Sequence, residues 1–301
     1  MNESPLVSIL LLSMNHQPFI EKCIDSLKKQ TYRNIEIIYL DNASSDNTFR
    51  TGERILEQSG IPFKTFINKE SRGISTNLNF LYNHSKGLFI IPLSTDDWLT
   101  TDNIEEKINY FKQHPEFGMV YNNAWSYNYD TGEKKVCLKK NSFKGGWILK
   151  EILKKNFIST VGCMIQRRTL ETVGLFDENS LLDDWDMWIR IAEKFPIGFI
   201  NKELAFYGIK EGVNTTGNVE YLSKGYAYVQ NKYSHYKEIQ ESKKYVARLE
   251  SYYYASKEPS LKSLFFILKN CRFNFFYFKQ TGKTILGIVK RVFIKRKLQF
   301  P

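Results

Sequence analysis

The chain has 301 residues, of which 42% are hydrophobic and 15% aromatic. That is enough apolar material for a packed core, and it excludes disorder as the default. The formal net charge of +11 is uneven: no acidic residue follows Glu258, whereas ten of the 43 Lys and Arg residues lie beyond it. The body before the tail is close to neutral, with 33 basic against 32 acidic residues, so the excess positive charge belongs to a C-terminal attachment segment.

Cys23, Cys137, Cys163 and Cys271 lie far apart and form no CxxC pair, which points away from a zinc knuckle or a disulfide framework and toward reduced thiols in a cytoplasmic protein. The apolar stretch Leu6 to Leu12 lacks a basic flank, is too short to span a bilayer, and runs into polar Asn15 and His16. It reads as a first β-strand and not as a signal peptide.

From there to about residue 115, short β-rich runs alternate with amphipathic stretches. "VSILLLSM" (7 to 14) precedes a helix through Ile20, Cys23, Ile24 and Leu27, and "IEIIYLDN" (35 to 42) precedes a helix around Arg54 to Gln58. "FKTFIN" (63 to 68), a helix from Ser75 to about His84, and "GLFIIPLS" (87 to 94) continue the series. This alternation predicts a mostly parallel sheet with helices on both faces. Beyond 116, the Asp130, Thr131, Gly132 cluster marks a turn between two strands. A short helix (Trp147 to Lys155), a strand "CMIQRR", and a helix over "LLDDWDMWIRIAEKF" follow. In that last helix Trp185, Trp188, Ile189 and Ala192 form a stripe that docks on the sheet, leaving Asp183 and Asp184 at its start.

Ligands of such sheets bind outside the carboxyl ends of the strands. Those ends are Asn15, Asp41 with Asn42, the Glu70 to Gly73 loop, and Thr95 to Asp97. There is no GxGxxG after the first strand and no GxxxxGK[ST], so phosphates would need another means of neutralisation. Asp96 and Asp97 suit a divalent cation held by one or two carboxylates plus ligand phosphates, or one of them caps a following helix. Asp183 and Asp184 suit either helix-start electrostatics or a general base at a cleft edge. Asp41 with Asn42 could bond a base or ribose, or open a turn. For His16 and His84, surface or turn roles are expected, and for Trp98 a place in the core.

Three segments, "VSILLLSMNHQPFIEKCIDSLKKQTYRNIEIIYLDNASSDNT", "NKESRGISTNLNFLYNHSKGLFIIPLSTDDW" and "GLFDENSLLDDWDMWIRIAE", resemble the family 2 glycosyltransferases of the GT-A fold, in the right order over about residues 5 to 215. The resemblance implies a GT-A domain at 1 to 215 and inverting transfer of a sugar from a nucleotide donor, with a divalent cation, Mn²⁺ or Mg²⁺, on the diphosphate. It implies a donor-binding set of Asn15, Asp41, Arg72, Asp96 and Lys210, with Asp96 as cation ligand assisted by Asp97. Asp184 matches the catalytic base. Three positions depart from the pattern: Asn42 replaces a second acidic residue, Ser94 stands where a first Asp of the DxD motif is common, and Lys210 replaces a histidine. A protonated Lys cannot ligate metal but can pair with phosphate.

The remainder, 216 to 301, reads as a helical extension in which Tyr252, Tyr253 and Tyr254 pack. Its basic tail has no apolar span of about twenty residues. Ile285, Ile288, Val289 and Val292 at helical spacing, with Lys290, Arg291 and Lys295 on other faces, predict an interfacial helix on an anionic membrane. The bulk of Phe265, Phe266, Phe275, Phe276 and Phe278 favours lipid over nucleic acid. The combined expectation is a peripheral enzyme on the cytoplasmic face of the inner membrane. It would use a UDP-hexose or UDP-N-acetylhexosamine to extend a lipid-linked oligosaccharide of a bacterial surface polysaccharide, such as O-antigen or capsule. The competing expectation is a glycosyltransferase-like scaffold that has lost catalysis, motivated by Ser94 and Lys210. A nucleotidyltransferase on a similar sheet would need a Gly-rich, Lys-bearing loop after the first strand, which "SMNHQPFI" does not supply.

Overall fold

The computed structural model describes residues 4–137, 145–210 and 219–247. The chain divides into two compact units, one of Met1–Ile152 with Asn156–Gly217, the other of Leu153–Lys155 with Asn218–Pro301. The first contains every candidate site residue. In the second, helix α8 (Val219–Lys232) is followed by residues of which Tyr233, Ile239 and Ser242 are buried. The tail beyond 258, with its expected interfacial helix, lies outside the described residues, as do Tyr252 to Tyr254.

The first unit grows from four parallel strands: β1 (Val7–Ser13), β2 (Ile35–Asp41), β3 (Phe63–Ile67) and β4 (Phe89–Ser94). Continuous apolar runs such as Ile37 to Leu40 are what a strand covered on both faces requires, and every residue of β2 is buried. Register ties the polar ends together: Ser13 lies opposite Asp41, and Leu12 opposite Ser94. The crossovers between them use α1 (Ile20–Lys28), α2 (Thr48–Glu57) and α3 (Ile74–His84). In α1, Ile20, Cys23, Ile24 and Leu27 supply the buried stripe.

After β4 the chain makes a turn at Asp96 and Asp97 and forms β5 (Trp98–Leu99), then α4 (Asn103–Gln113), β6 (Met119–Asn128) and β7 (Lys134–Val136). The turn expected at Asp130 to Gly132 joins β6 to β7, which are antiparallel. Next come α5 (Leu149–Lys154), β8 (Met164–Gln166), α6 (Arg167–Val173), α7 (Asp183–Lys194) and β9 (Ile197–Ile209). The nine-stranded sheet of the described residues runs β3-β2-β1-β4-β8-β6-β9-β5, with β7 on β6. β8 is antiparallel to both neighbours and β5 is antiparallel to β9, so the sheet is mixed, although most of its strands are parallel.

Several elements differ from the sequence reading: β5 and α6 were not expected, and α2 begins at Thr48, ahead of the expected Arg54. The run from Cys163 to Arg168 is a strand for only three residues. Arg167 opens α6 because its guanidinium is drawn to the Gly87 carbonyl (2.6 Å) and the Ser85 hydroxyl (2.7 Å). The thirteen-residue β9 was not expected, because polar Asn201, Lys202 and Glu203 interrupt its apolar pattern. In the structure that stretch coincides with a register shift opposite Asn122 and Asn123.

Helix α7 docks as its spacing predicts: Trp185, Trp188 and Ile189 are fully buried and Ala192 nearly so. The Trp185 indole N–H donates to the Ile152 carbonyl at 2.8 Å. Trp185→Ala removes both packing and that bond at the base of the helix carrying Asp184. Chemical denaturation is expected to show a loss of about 3–5 kcal/mol. A loss below about 1 kcal/mol would contradict this packing.

Candidate active site

The strand ends of β1, β2 and β4 meet in a dense hydrogen-bonded cluster. Asp41, fully buried, accepts from the Ser13 hydroxyl (2.8 Å), the Ser44 hydroxyl (2.6 Å) and the Ser44 N–H (2.8 Å). Asn15 is exposed and has a left-handed backbone (φ 56°), which Asn tolerates better than most residues. Its N–H donates to Ser44 Oγ and its side-chain oxygen accepts from Ser45 N, so Asn15 and Asp41 are bridged through one serine turn.

Asn42 explains its own departure from an acidic residue. Its Oδ1 accepts from Arg72 N and Asn68 Nδ2, both at 2.9 Å, while its Nδ2 donates to the Arg72 carbonyl at 3.0 Å. A carboxylate could accept from both donors but could not donate to that carbonyl. The Arg72 backbone is thereby clamped while the residue stays exposed at the rim.

Asp96 and Asp97 occupy the β4–β5 turn, 8% and 7% exposed. Neither caps a helix: the N-cap of α4 is Asp102, and Thr100 Oγ1 donates to Asp102 and to the Leu204 carbonyl. The Ser94 hydroxyl donates to Asp96 Oδ1, and the Asp96 carbonyl accepts from Tyr129 at 2.9 Å. Asp97 turns to β9, where its Oδ1 accepts from Gly208 N at 2.8 Å. Burial pushes the Asp97 carboxyl well above the usual carboxylate range, and neighbouring Asp96 adds to this. Position 208 must be glycine, because a Cβ there would collide with the Asp96 carbonyl oxygen.

His16, for which a surface or turn role was expected, is 8% exposed, with Nδ1 2.9 Å from Thr95 Oγ1 and 3.8 Å from Asp96 Oδ1. Burial lowers its pKa against the pull of Asp96, Asp46 and Asp41, so the imidazole is neutral at pH 7. Its nearness to all three carboxylates makes it the link between the Asp41 end and the Asp96 end of the cluster. Its place directly after Asn15 at a strand's carboxyl end was the available sequence signal.

Asp184 stands in the first turn of α7, half-buried. Its Oδ2 accepts from Asn156 Nδ2 at 2.9 Å, and its Oδ1 accepts from Trp185 N at 2.6 Å. Burial raises its pKa, while hydrogen bonds from Asn156, Trp185 and Thr160 oppose the rise. Asp183 is pushed up to about 7 by burial and by Asp184. The N-cap is Leu182 and no side-chain hydrogen bond caps the helix, while Asp183, Asp184 and Asp186 all lie in its first turn; Asp186 pairs with Arg190 at 2.9 Å. Lys210 is engaged by Asp130 at the end of β9.

The model of glycosyl transferase family 2 matches residues 8–174, more than half of the chain. The chain belongs to glycosyl transferase family 2. It is 26% identical over 219 residues to the chondroitin synthase of Escherichia coli, a match covering 70% of this chain and 30% of that one. It is 24% identical over 220 residues to the putative glycosyltransferase EpsE of Bacillus subtilis (strain 168), covering 70% and 75%. The chain thus spans under a third of that chondroitin synthase but most of EpsE. Among solved structures, S. aureus TarS 1-349 in complex with UDP-GlcNAc superposes with a TM-score of 0.60 at 12% identity, covering 88% of this chain and 79% of that one. The mannosyltransferase PcManGT from Pyrobaculum calidifontis, in complex with GDP-Man and Mn²⁺, gives 0.60 at 16% identity, covering 89% and 80%. At such identities the likeness shows the fold, which is GT-A.

Within this family 2 domain, Asn156 is a candidate site residue that sequence reasoning missed. Its amide donates to Asp184 while its own buried Oδ1 has no hydrogen-bond partner among the described residues. No motif marks it, since it precedes Asp184 by 28 residues in an irregular segment. Asn156→Leu removes a bond that favours the charged form of Asp184. The acidic limb of the pH–rate profile is therefore expected to move to higher pH. An unmoved limb would separate Asn156 from the carboxylate's ionisation.

Proposed function

We propose that this family 2 chain transfers a sugar, with inversion, from a nucleotide-sugar donor to a hydroxyl of a lipid-linked oligosaccharide. The observation that carries this reading is the convergence of Asp41, His16 and Asp96 at the carboxyl ends of three adjacent parallel strands, together with a half-buried Asp184 whose pKa is raised. Asn15, Asp41 and the Arg72 loop form the nucleoside side of the cradle. Asp184 takes the proton from the acceptor hydroxyl as its oxygen attacks the anomeric carbon, the bond to the nucleoside diphosphate breaks, and the diphosphate leaves with the electron pair.

Among the described residues no group of three His, Cys, Asp or Glu side chains is placed to hold a metal by itself. One carboxylate, Asp96, oriented by Ser94 and with His16 beside it, fits a cation that takes its remaining ligands from phosphate and water. Asp96 would hold Mn²⁺ or Mg²⁺ there, assisted by Asp97 once the nearby cation favours its ionised form against burial, and the bound ion would neutralise charge on the leaving diphosphate. Lys210, released from Asp130, would pair with phosphate oxygens.

A UDP-hexose or UDP-N-acetylhexosamine is the proposed donor, supported by the UDP-GlcNAc complex of TarS. A thermal-shift screen of UDP- and GDP-sugars with and without Mn²⁺ tests this. Stabilisation by UDP-sugars alone is expected, and stabilisation by GDP-mannose alone would overturn the donor class.

Among the described residues no helix is long and apolar enough to cross a membrane. The basic tail is proposed to seat the enzyme on the cytoplasmic face of the inner membrane, where a lipid-linked acceptor for surface polysaccharide is met. Replacing Lys290, Arg291 and Lys295 by Gln is expected to weaken partitioning onto phosphatidylglycerol vesicles about 10²-fold, at about 1 kcal/mol per charge. Unchanged cosedimentation would remove the tail from this role.

A further inference from the structure

Asp96 lies inside a tight turn closed by Asp97 N, which donates to the Ser94 carbonyl at 3.1 Å. Such a turn leaves the carbonyls of its two central residues, Thr95 and Asp96, outside its own hydrogen bond. Left without a donor, a buried carbonyl costs stability. The Asp96 carbonyl accepts from the Tyr129 hydroxyl at 2.9 Å, from 33 residues further along the chain. The peptide unit held in this way is the one that joins Asp96 to Asp97, the two candidate cation ligands. The side chains on either side of it are fixed as well: the Ser94 hydroxyl donates to the Asp96 carboxylate, and Gly208 N donates to that of Asp97 at 2.8 Å.

Tyr129 has little freedom to release that carbonyl. Its N–H donates to the Ile209 carbonyl at 2.9 Å, so its backbone is tied to the end of β9. Its ring lies against Phe19 with centroids 4.3 Å apart, edge-on to Tyr127 at 5.3 Å, and 5.9 Å from Trp98. These contacts come from the start of α1, from β6 and from β5, three elements around the turn. On the side of β9 the fit is tight, because a Cβ at Gly208 would come within 2.7 Å of the Tyr129 ring.

From this arrangement we infer that Tyr129 is a positioning residue of the cation site, fixing the peptide between Asp96 and Asp97 so that the Asp96 carboxylate is presented to the metal. The inference rests on the proposed cation role of Asp96. Without the phenol the turn's peptide can rotate, and the carboxylate must be ordered anew each time a cation binds, which lowers affinity. Tyr129 touches neither donor nor acceptor in this role. Its loss therefore weakens the hold on the metal and leaves nucleoside binding as it is.

The test is isothermal titration of UDP into the full chain over a series of Mn²⁺ concentrations, in wild type, Tyr129→Phe and Tyr127→Phe. Tyr129→Phe keeps the ring and its packing and loses only the donor. It is expected to bind UDP like wild type without metal, and to need about tenfold more Mn²⁺ for half of the metal's effect on UDP affinity. Tyr127→Phe, altered in the same aromatic cluster, is expected to match wild type in both. An unchanged Mn²⁺ requirement in Tyr129→Phe overturns the inference. An equal rise in Tyr127→Phe, or metal-free UDP binding weakened by the same factor in Tyr129→Phe, also overturns it, since either marks general damage to the fold. A wild type whose UDP affinity does not respond to Mn²⁺ would overturn the cation reading itself, and the inference with it.

Discussion

Asp184→Asn is expected to lower the rate of sugar transfer about 10²- to 10⁴-fold while leaving donor-induced thermal stabilisation at the wild-type level. The substitution is nearly isosteric, and the Asn oxygen can still accept from Trp185 N or Asn156 Nδ2, so the start of α7 keeps its geometry. What is lost is the group that accepts the proton. The environment also sets the sign of the pH dependence. A carboxyl whose pKa is raised by burial is protonated, and inert as a base, to higher pH than an ordinary aspartate. Transfer by the wild type is expected to rise with pH on a limb displaced above the usual carboxylate range. A limb at the usual value would mean that Asp184 is not the ionising group.

Asp183, beside it and pushed up to about 7, bears on stability with the opposite outcome from a salt-bridged aspartate. The folded state retains a proton there that the unfolded chain has already released. Stability from this site is therefore present below the unfolded pKa and is lost as pH rises to about 7.

The second large effect concerns the donor end. Asp96→Asn keeps an acceptor for the Ser94 hydroxyl and leaves the backbone contact with Tyr129 in place, yet removes the only charge that Asp96 brings. Transfer is expected to fall about 10²- to 10³-fold, and the additional stabilisation that Mn²⁺ gives in the presence of UDP is expected to vanish. Because the thermal readout does not depend on turnover, it distinguishes a lost cation site from a damaged catalytic centre. An undiminished Mn²⁺ effect in Asp96→Asn would move the ligand elsewhere. Ser94 marks the limit of a motif reading: at the place of a common acidic residue the structure puts a hydroxyl that orients the remaining carboxylate.

The half of the domain built from β1 to β4 was legible in the sequence because its strands are continuous apolar runs and its helices carry clear stripes. The polar residues just after each run follow from parallel topology, which is why the amino-acid sequence alone is enough to put Asn15, Asp41 and Asp96 at one edge of the sheet. The second half was harder to read for physical reasons. β5 is two residues long and exists because β9 pairs with it, so nothing local announces it. β9 is broken by polar residues at a register shift, and β8 by an arginine whose partners lie some 80 residues away. Residues whose importance comes from contacts distant in sequence were missed for the same reason. His16 reaches Asp96 from the end of one strand to the end of its neighbour, 80 residues on, and Asn156 reaches Asp184 from a segment with no pattern. Asn42, read with Asp41 as a base or ribose partner or a turn opener and as a departure from an acidic residue, uses both a donor and an acceptor to hold the Arg72 loop.

The most direct test of the account is the anomeric configuration of the product, read by proton NMR after incubation of the full chain with α-linked UDP-hexoses and UDP-N-acetylhexosamines and a lipid-linked saccharide acceptor. The account predicts a β-linked product from the wild type and none above background from Asp184→Asn. An α-linked product, or a β-linked one formed at the wild-type rate by Asp184→Asn, would contradict it.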